Sequence, residues 1–156
     1  MAVPESPRLA VEVVKAVRAP VPPAFVRLVL ARTASLPEVA ARLPEGTSTL
    51  AVRLTGDREL RRLNKTYAGH DSITDVLSFA GTGEHLGDLA VSWETVVRQA
   101  AEFRHPPLTE LALLSVHGML HLLGWDHASA SERKEMVRLT MAALELSHLR
   151  LPSGRV

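Results

Sequence analysis

The stretch His117-Gly118-Met119-Leu120-His121-Leu122-Leu123-Gly124-Trp125-Asp126-His127 decides how the rest of the chain is interpreted. Its apolar residues recur at helical spacing, and His117 and His121 stand four positions apart, which places their Cβ atoms about 5–6 Å apart on one helix face. Gly124 suits the left-handed conformation that ends a helix, so the chain can turn and bring His127 back. Three neutral imidazoles can bind one zinc ion and leave a fourth position open. The stretch therefore predicts a metal site held by His117, His121 and His127.

Packing alone explains this pattern poorly. One histidine on an apolar helix is usually a hydrogen-bonded core residue, and two at this spacing are ambiguous. Three of them, spaced H-x-x-x-H-x-x-G-x-x-H, would bury several polar nitrogens without partners if no metal were bound. The spacing resembles the zinc-protease signature H-E-x-x-H-x-x-G-x-x-H, but Gly118 replaces the general-base glutamate of those enzymes. A protease is therefore not expected, because its usual proton acceptor is missing.

Composition and charge narrow the class of protein. The chain of 156 residues is most simply one domain over 1–156, and its 46% hydrophobic and 22% charged residues are typical of a soluble globular protein. A net charge of +1 argues against general electrostatic coating of nucleic acid but allows a local basic patch. Because cysteine is absent, a metal must be held by nitrogen and oxygen. We find no signal peptide and no membrane-length apolar run, and expect a cytoplasmic protein.

Hydrophobic periodicity predicts a mixture of strands and helices. We predict strands at 9–17, 48–55, 74–79 and 86–93, and helices at 24–42, 57–67, 94–103 and 109–123. Pro37 splits the first helix in this prediction, and Asp57 and Thr109 are the predicted N-caps of two others. Ser129 and Glu132 have capping-box spacing at the start of a last helix.

The densest basic cluster lies on the helix predicted at 57–67. Its members are Arg58, Arg61, Arg62 and Lys65, with Arg53 just before them. Such runs are most often solvated helix faces. The functional alternative is a surface that contacts phosphates, which gains weight only if other features point to nucleic acid.

The other polar residues allow more limited predictions. Asp126 either orients a neighbouring histidine as an outer-shell partner or caps the next element. His70 and Asp71 lie in a loop that the fold can bring near the histidines. The remaining histidines are expected at the surface; they are His85, His105 and His148.

Two motifs together resemble a known family. The run from His117 to His127 closely resembles the signature of the YbeY family of bacterial rRNA maturation endoribonucleases. A second match lies upstream and consists of Leu63-Asn64, Tyr67, Asp71, Thr74-Asp75-Val76-Leu77-Ser78-Phe79 and Leu86-Gly87-Asp88. The order and spacing of both motifs agree with the family over roughly Val52 to Leu146, which makes the resemblance specific.

This resemblance implies both a fold and an activity. It implies a single-domain α+β fold, in which helices pack on a small mixed sheet and one of them is a zincin-like metal helix. It implies one zinc ion per chain, bound by His117, His121 and His127. It further implies hydrolysis of single-stranded RNA in maturation of the 16S rRNA 3′ end, with the small ribosomal subunit as partner. The basic helix from Arg58 to Lys65 would then form part of the RNA groove.

One departure from the family keeps alternatives open. After the aromatic residue at Tyr67 the family typically carries an arginine, whereas this chain has Ala68. A lost guanidinium removes a natural clamp for phosphate, which Arg61, Arg62 or Lys65 would have to replace. The alternative is a zinc-stabilised ribosome-assembly or RNA-binding factor with little or no catalysis. A third, more distant interpretation is a metal-dependent hydrolase of another substrate.

Overall fold

The computed structural model describes residues 8–69, 74–152 and 154–155, so the predictions for His70 and Asp71 lie outside the described residues. The strands are β1 (Leu9–Lys15), β2 (Ser48–Thr55), β3 (Val76–Ala80) and β4 (His85–Ser92). The helices are α1 (Pro23–Ala34), α2 (Pro37–Arg42), α3 (Asp57–Ala68), α4 (Trp93–Phe103), α5 (Pro107–Leu122) and α6 (Ala130–Leu146). The predicted α+β class is confirmed, as is the break of the first helical segment at Pro37.

The four strands form one mixed sheet in the order β1-β2-β4-β3. β1 and β4 both run parallel to β2, while β3 runs antiparallel to β4 and forms an edge. Gly87 of β4 has φ +153, and a side chain there would collide with the carbonyl oxygen of Phe79 across the ladder. The backbones of β3 and β4 therefore approach each other closely at this glycine.

One face of the sheet carries the core. Along β2, Leu50, Val52 and Leu54 are buried, whereas Thr49 and Arg53 on the opposite face are exposed. This alternation is the period of a strand that is covered on one side. Helices α1, α5 and α6 contact one another, and α5 also contacts β3 and β4. As a result, α5 is enclosed on several sides, and its position is fixed by burial of its aliphatic residues.

Two predicted helix caps were wrong. α3 begins after Gly56, and the carboxylate of Asp57 accepts hydrogen bonds from Ser92, Thr95 and Arg98 at the start of α4. Asp57 therefore joins two helices and caps neither of their N-termini. α5 begins at Pro107, two residues before Thr109. Proline suits a first helical position, because an N–H there would have no partner within the helix.

The capping box at the start of α6 is confirmed, since the Ser129 hydroxyl accepts a hydrogen bond from the N–H of Glu132. The extent of the domain over 1–156 stays a prediction. Within the ranges that the structure describes, every helix is too short or too polar to cross a membrane.

Candidate metal centre

The end of α5 brings the third histidine back toward the first two. The N–H of Gly124 donates to the carbonyl of His121, and the N–H of Trp125 donates to the carbonyl of Leu120. This pair of bonds is a Schellman closure, and Gly124 supplies its left-handed residue with φ 97. Trp125 is then buried, and the chain continues directly into His127.

Arg42 of α2 holds this closure from outside. Its guanidinium lies 3.6 Å from the ring centroid of Trp125 and donates to the carbonyl of Leu123 at 3.3 Å. The carbonyls at a helix C-terminus carry partial negative charge, so a cation there is favourable. The segment that places His127 is thus held by a helix distant in sequence.

The three histidines meet as a compact group, here called the histidine cluster (His117, His121 and His127). Their candidate ligand nitrogens all lie within 4.8 Å of one another, and Nε2 of His127 is 3.1 Å from Nε2 of His117. Two nitrogens bound to one zinc at about 2.0–2.1 Å in tetrahedral geometry lie about 3.4 Å apart. The donor set therefore fits one metal ion after small side-chain adjustments, with a face left open.

The surroundings keep two of these imidazoles neutral. Burial first, and then the neighbouring imidazoles of His121 and His127, lower the pKa of His117 from 6.5 to about 4. Burial also lowers the pKa of His121, and His127 adds to the effect. At neutral pH both rings are in the unprotonated form that binds a metal.

The histidine cluster opens into a cavity of about 670 Å³ between β3 and α6. Much of its wall is aliphatic, with Leu113 and Val137 as examples. Three charged residues also line it, and they are Asp75, Arg133 and Arg155. A cavity with an excess of cationic groups and an open ligand face can receive an anionic substrate.

Behind this cavity lies a buried polar network around Glu110 of α5. The Glu110 side chain is fully buried, and its carboxylate accepts hydrogen bonds from Gln99, His105 and Arg155. Burial raises the pKa of Glu110, but the bonds from Arg155, His105 and Gln99 outweigh it and lower the pKa overall. The expectation that His105 is a surface residue was wrong, because its side chain is only 4% exposed and bonds Glu110 at 2.7 Å.

Several candidate residues lie outside the histidine cluster. Asp126 is exposed, and its carboxylate accepts a hydrogen bond from the backbone N–H of His127 at 2.7 Å. This bond is to the backbone of a candidate ligand residue and not to its imidazole. Ala68 is exposed at the end of α3. The basic helix face is exposed on α3, and its residues are Arg58, Arg61, Arg62 and Lys65.

Sequence reasoning missed the three charged residues of the cavity wall. Asp75 belongs to the motif at 74–79, so its presence near the cluster had a signal in the sequence. Arg133 lies one turn into α6, and Arg155 follows that helix, where no periodic pattern ties it to α5. Only the fold brings these arginines to the cavity.

Comparison with known proteins gives matches over most of the chain. A family model described as Endoribonuclease YbeY matches residues 24–147. Endoribonuclease YbeY of Chloroflexus aggregans is 41% identical over 133 residues, which cover 78% of this chain and 86% of that protein. Endoribonuclease YbeY of Chloroflexus aurantiacus is 46% identical over 108 residues, or 62% and 70% of the two chains. A solution structure from Thermotoga maritima, of the protein TM1509, has a TM-score of 0.60 at 21% identity over 89% of this chain and 92% of its own, and thus shares the fold.

Proposed function

Because the chain belongs to the YbeY family of endoribonucleases, we propose that it is a zinc-dependent endoribonuclease specific for single-stranded RNA. The observation that carries this proposal is the histidine cluster, three imidazoles that could hold one metal ion in the wall of a cavity that two arginines also line. Neutral nitrogen ligands with an open face are the usual set of a catalytic zinc site.

In this proposal His117, His121 and His127 hold one zinc ion per chain and act in catalysis through it. When bound, zinc supplies Lewis acidity and activates a water for attack on a phosphodiester. The chain's own residues keep the ligands neutral, shape the entry to the cavity and attract the polyanionic strand. Asp126 contributes through the His127 backbone, which its carboxylate holds.

We further propose that the basic helix face of α3 binds the RNA backbone. Tyr67 of α3 packs edge-on against Phe79 of β3, with ring centroids 5.6 Å apart. Ser78 and Ala80 of the same strand line the cavity. A single strand that crosses β3 would therefore contact α3 at one end and the histidine cluster at the other, and cations along that path contact phosphates without reading sequence.

The biological setting we propose follows the family resemblance. The substrate is the 3′ region of 16S rRNA, the partner is the small ribosomal subunit, and the reaction takes place in the cytoplasm during subunit biogenesis. Single-stranded ends are accessible to such a cavity, because their unpaired bases can be splayed away from a helix.

The deciding experiment uses zinc-loaded protein and end-labelled single-stranded RNA, with a His121→Ala variant purified in parallel. We expect cleavage by the wild type and none by the variant. The variant controls for contaminating ribonuclease, which would cut equally in both samples. Equal cleavage, or none by a wild type that carries stoichiometric zinc, would contradict the nuclease.

One observation favours a second candidate, a zinc-stabilised assembly or RNA-binding factor without turnover. Position 68 carries a methyl group where the family resemblance leads us to expect a guanidinium. An Ala68→Arg variant separates the two candidates when it is compared with the wild type under the same zinc loading. Cleavage that appears only in the variant supports the binding factor, whereas cleavage by the wild type supports the nuclease.

A further inference from the structure

Arg155 reaches the cavity from the segment that follows α6. It lines the same cavity as His117 and Asp75. The guanidinium also lies 4.3 Å from the ring centroid of Phe103. An aromatic face and a carboxylate therefore fix its plane.

Glu110 holds Arg155 through two of the guanidinium nitrogens. Nε donates to Oε1 at 3.0 Å, and Nη2 donates to Oε2. The remaining acceptor sites of this carboxylate are taken by His105 on Oε1 and Gln99 on Oε2. A carboxylate accepts about four hydrogen bonds, so that of Glu110 is saturated.

The third nitrogen of Arg155 has a different environment. Within the described part of the chain, Nη1 donates to no protein acceptor, while the side chain as a whole is 15% exposed. An arginine carries five N–H donors in a rigid fork, and the geometry leaves both N–H groups of Nη1 for an external acceptor. The open space beside Arg155 is the cavity of the histidine cluster.

We propose that Arg155 binds a phosphate of the RNA strand at the metal site, with Glu110 and Phe103 as the residues that position it. The proposal rests on the proposed function, because it assigns the contact to that reaction's substrate. A fixed guanidinium beside the bound phosphodiester holds it in place and offsets the negative charge that develops there. Arg133 also lines the cavity and is exposed, but no carboxylate or aromatic ring fixes it in its described contacts.

A purely structural role for Arg155 must be separated from this one. A buried carboxylate needs compensation, and removing Arg155 alone would leave Glu110 charged and poorly paired. The informative variant is therefore Glu110→Gln/Arg155→Gln, which removes both charges together. Arg155→Lys is the second variant. It keeps a positive charge beside Glu110, but its single nitrogen is occupied by the carboxylate and leaves no separate nitrogen for a phosphate. Arg150→Gln is the matched control, an exposed arginine of the same segment outside the cavity wall.

Binding is measured with a single-stranded oligonucleotide of 2′-O-methyl RNA, which resists cleavage, over a series of salt concentrations and with zinc-loaded protein. For a single strand, log K decreases with log salt, and the magnitude of this slope decreases by about 0.7 for every phosphate that the protein no longer neutralises. We expect this decrease, and an affinity loss on the order of tenfold, for the double variant and for Arg155→Lys but not for Arg150→Gln. Unfolding midpoints and zinc stoichiometry establish that each variant is folded.

The outcomes distinguish this proposal from the proposed function. Wild-type salt slope and affinity in a folded double variant would overturn the role of Arg155 and show that it only neutralises Glu110. If the double variant does not fold, the same comparison is decided by Arg155→Lys. Cleavage of unmodified RNA is measured alongside. A wild type that binds through Arg155 but never cleaves would contradict the nuclease and leave the phosphate contact in place.

Discussion

The backbone of Gly118 lies directly against Leu89, because a Cβ atom added to Gly118 would stand 2.8 Å from Cδ2 of that leucine. The same Cβ would lie 3.3 Å from the hydroxyl of Ser78. In the zinc-protease signature this position carries the general-base glutamate, whereas here it is the contact between α5 and the sheet. Any side chain at position 118, a glutamate included, would therefore have to displace the side chain of Leu89.

Substitution of this glycine tests the contact. We expect Gly118→Glu to lower the free energy of unfolding strongly, since it forces a charged side chain into an apolar contact, and Gly118→Ala to cost about 1–3 kcal/mol as overpacking, offset in part by its better helix propensity. Denaturant unfolding measures both. Leu89→Val/Gly118→Ala should recover part of the loss; simple additivity in that double variant would show that the two residues do not interact.

Arg42 is predicted to support the histidine cluster from a distance. Arg42→Ala removes the cation over Trp125 and the donor to Leu123, so we expect a stability loss of about 1 kcal/mol, together with weaker zinc binding. Zinc titration of the purified variant measures the second effect. Arg42→Lys keeps the charge and should recover much of it, while an unchanged zinc affinity in Arg42→Ala would show that His127 is placed without this helix.

Glu110 is predicted to make stability depend on acid pH. Its pKa in the folded protein lies below the ordinary value of 4.5, so the unfolded chain takes up its proton first as the pH falls. The stabilisation is complete above about pH 5 and decreases as the pH falls through 4.5 toward the lowered folded pKa. Unfolding free energies at pH 7 to 3 measure it. Glu110→Gln should flatten the curve in this window, and parallel curves for the two proteins would refute the assignment.

Zinc is predicted to stabilise the folded chain through the histidine cluster. For one site that is absent from the unfolded chain, a metal concentration of a hundred times Kd adds about 2.7 kcal/mol to the free energy of unfolding. This is an upper limit, because any binding of the metal to the unfolded chain reduces it. Thermal unfolding with and without zinc measures the shift in Tm. We expect no shift for His121→Ala and a normal one for His85→Ala, a histidine outside the cluster. A normal shift in His121→Ala would place the metal elsewhere.

The basic helix face is predicted to contribute sequence-independent affinity for RNA. Replacing Arg58 and Arg62 by glutamine should weaken binding of unrelated single strands equally and lower the salt slope by about 0.7 for each phosphate that is no longer bound. Arg18→Gln/Arg27→Gln is the matched control, because both arginines are exposed outside α3. The same loss in both double variants would mean that only total charge matters.

Much of the fold could be predicted because it depends on local pattern. β2 alternates so regularly that its predicted and observed bounds agree, Ser48–Thr55. The closure of α5 at Gly124 was also predictable, because only a few residue types adopt a positive φ at low cost. The helix starts were less predictable. Thr109 has a side chain that can cap a helix, but α5 already begins at Pro107. Asp57 has one too, but its carboxylate binds residues at the start of α4 instead.

What could not be predicted depends on partners that are distant in sequence. His105 looks like a surface histidine until its bond to the buried carboxylate of Glu110 is known. Arg155 stands 45 positions from Glu110, and no periodicity connects residues so far apart. The histidine cluster was predictable from the sequence because its members are neighbours on one helix and turn, whereas its anion-attracting walls come from separate elements.

The members of the histidine cluster are close together in sequence, and this determines how loss of the metal affects the protein. The chelate ring that a metal would close spans only residues 117–127. A metal held there joins one helix end to the turn that follows it, and it bridges no remote segments. Strands β1, β2 and β4 are held together by burial instead. We therefore expect that removal of the metal abolishes the proposed activity but leaves the protein folded. Added metal should then bind again without refolding of the chain.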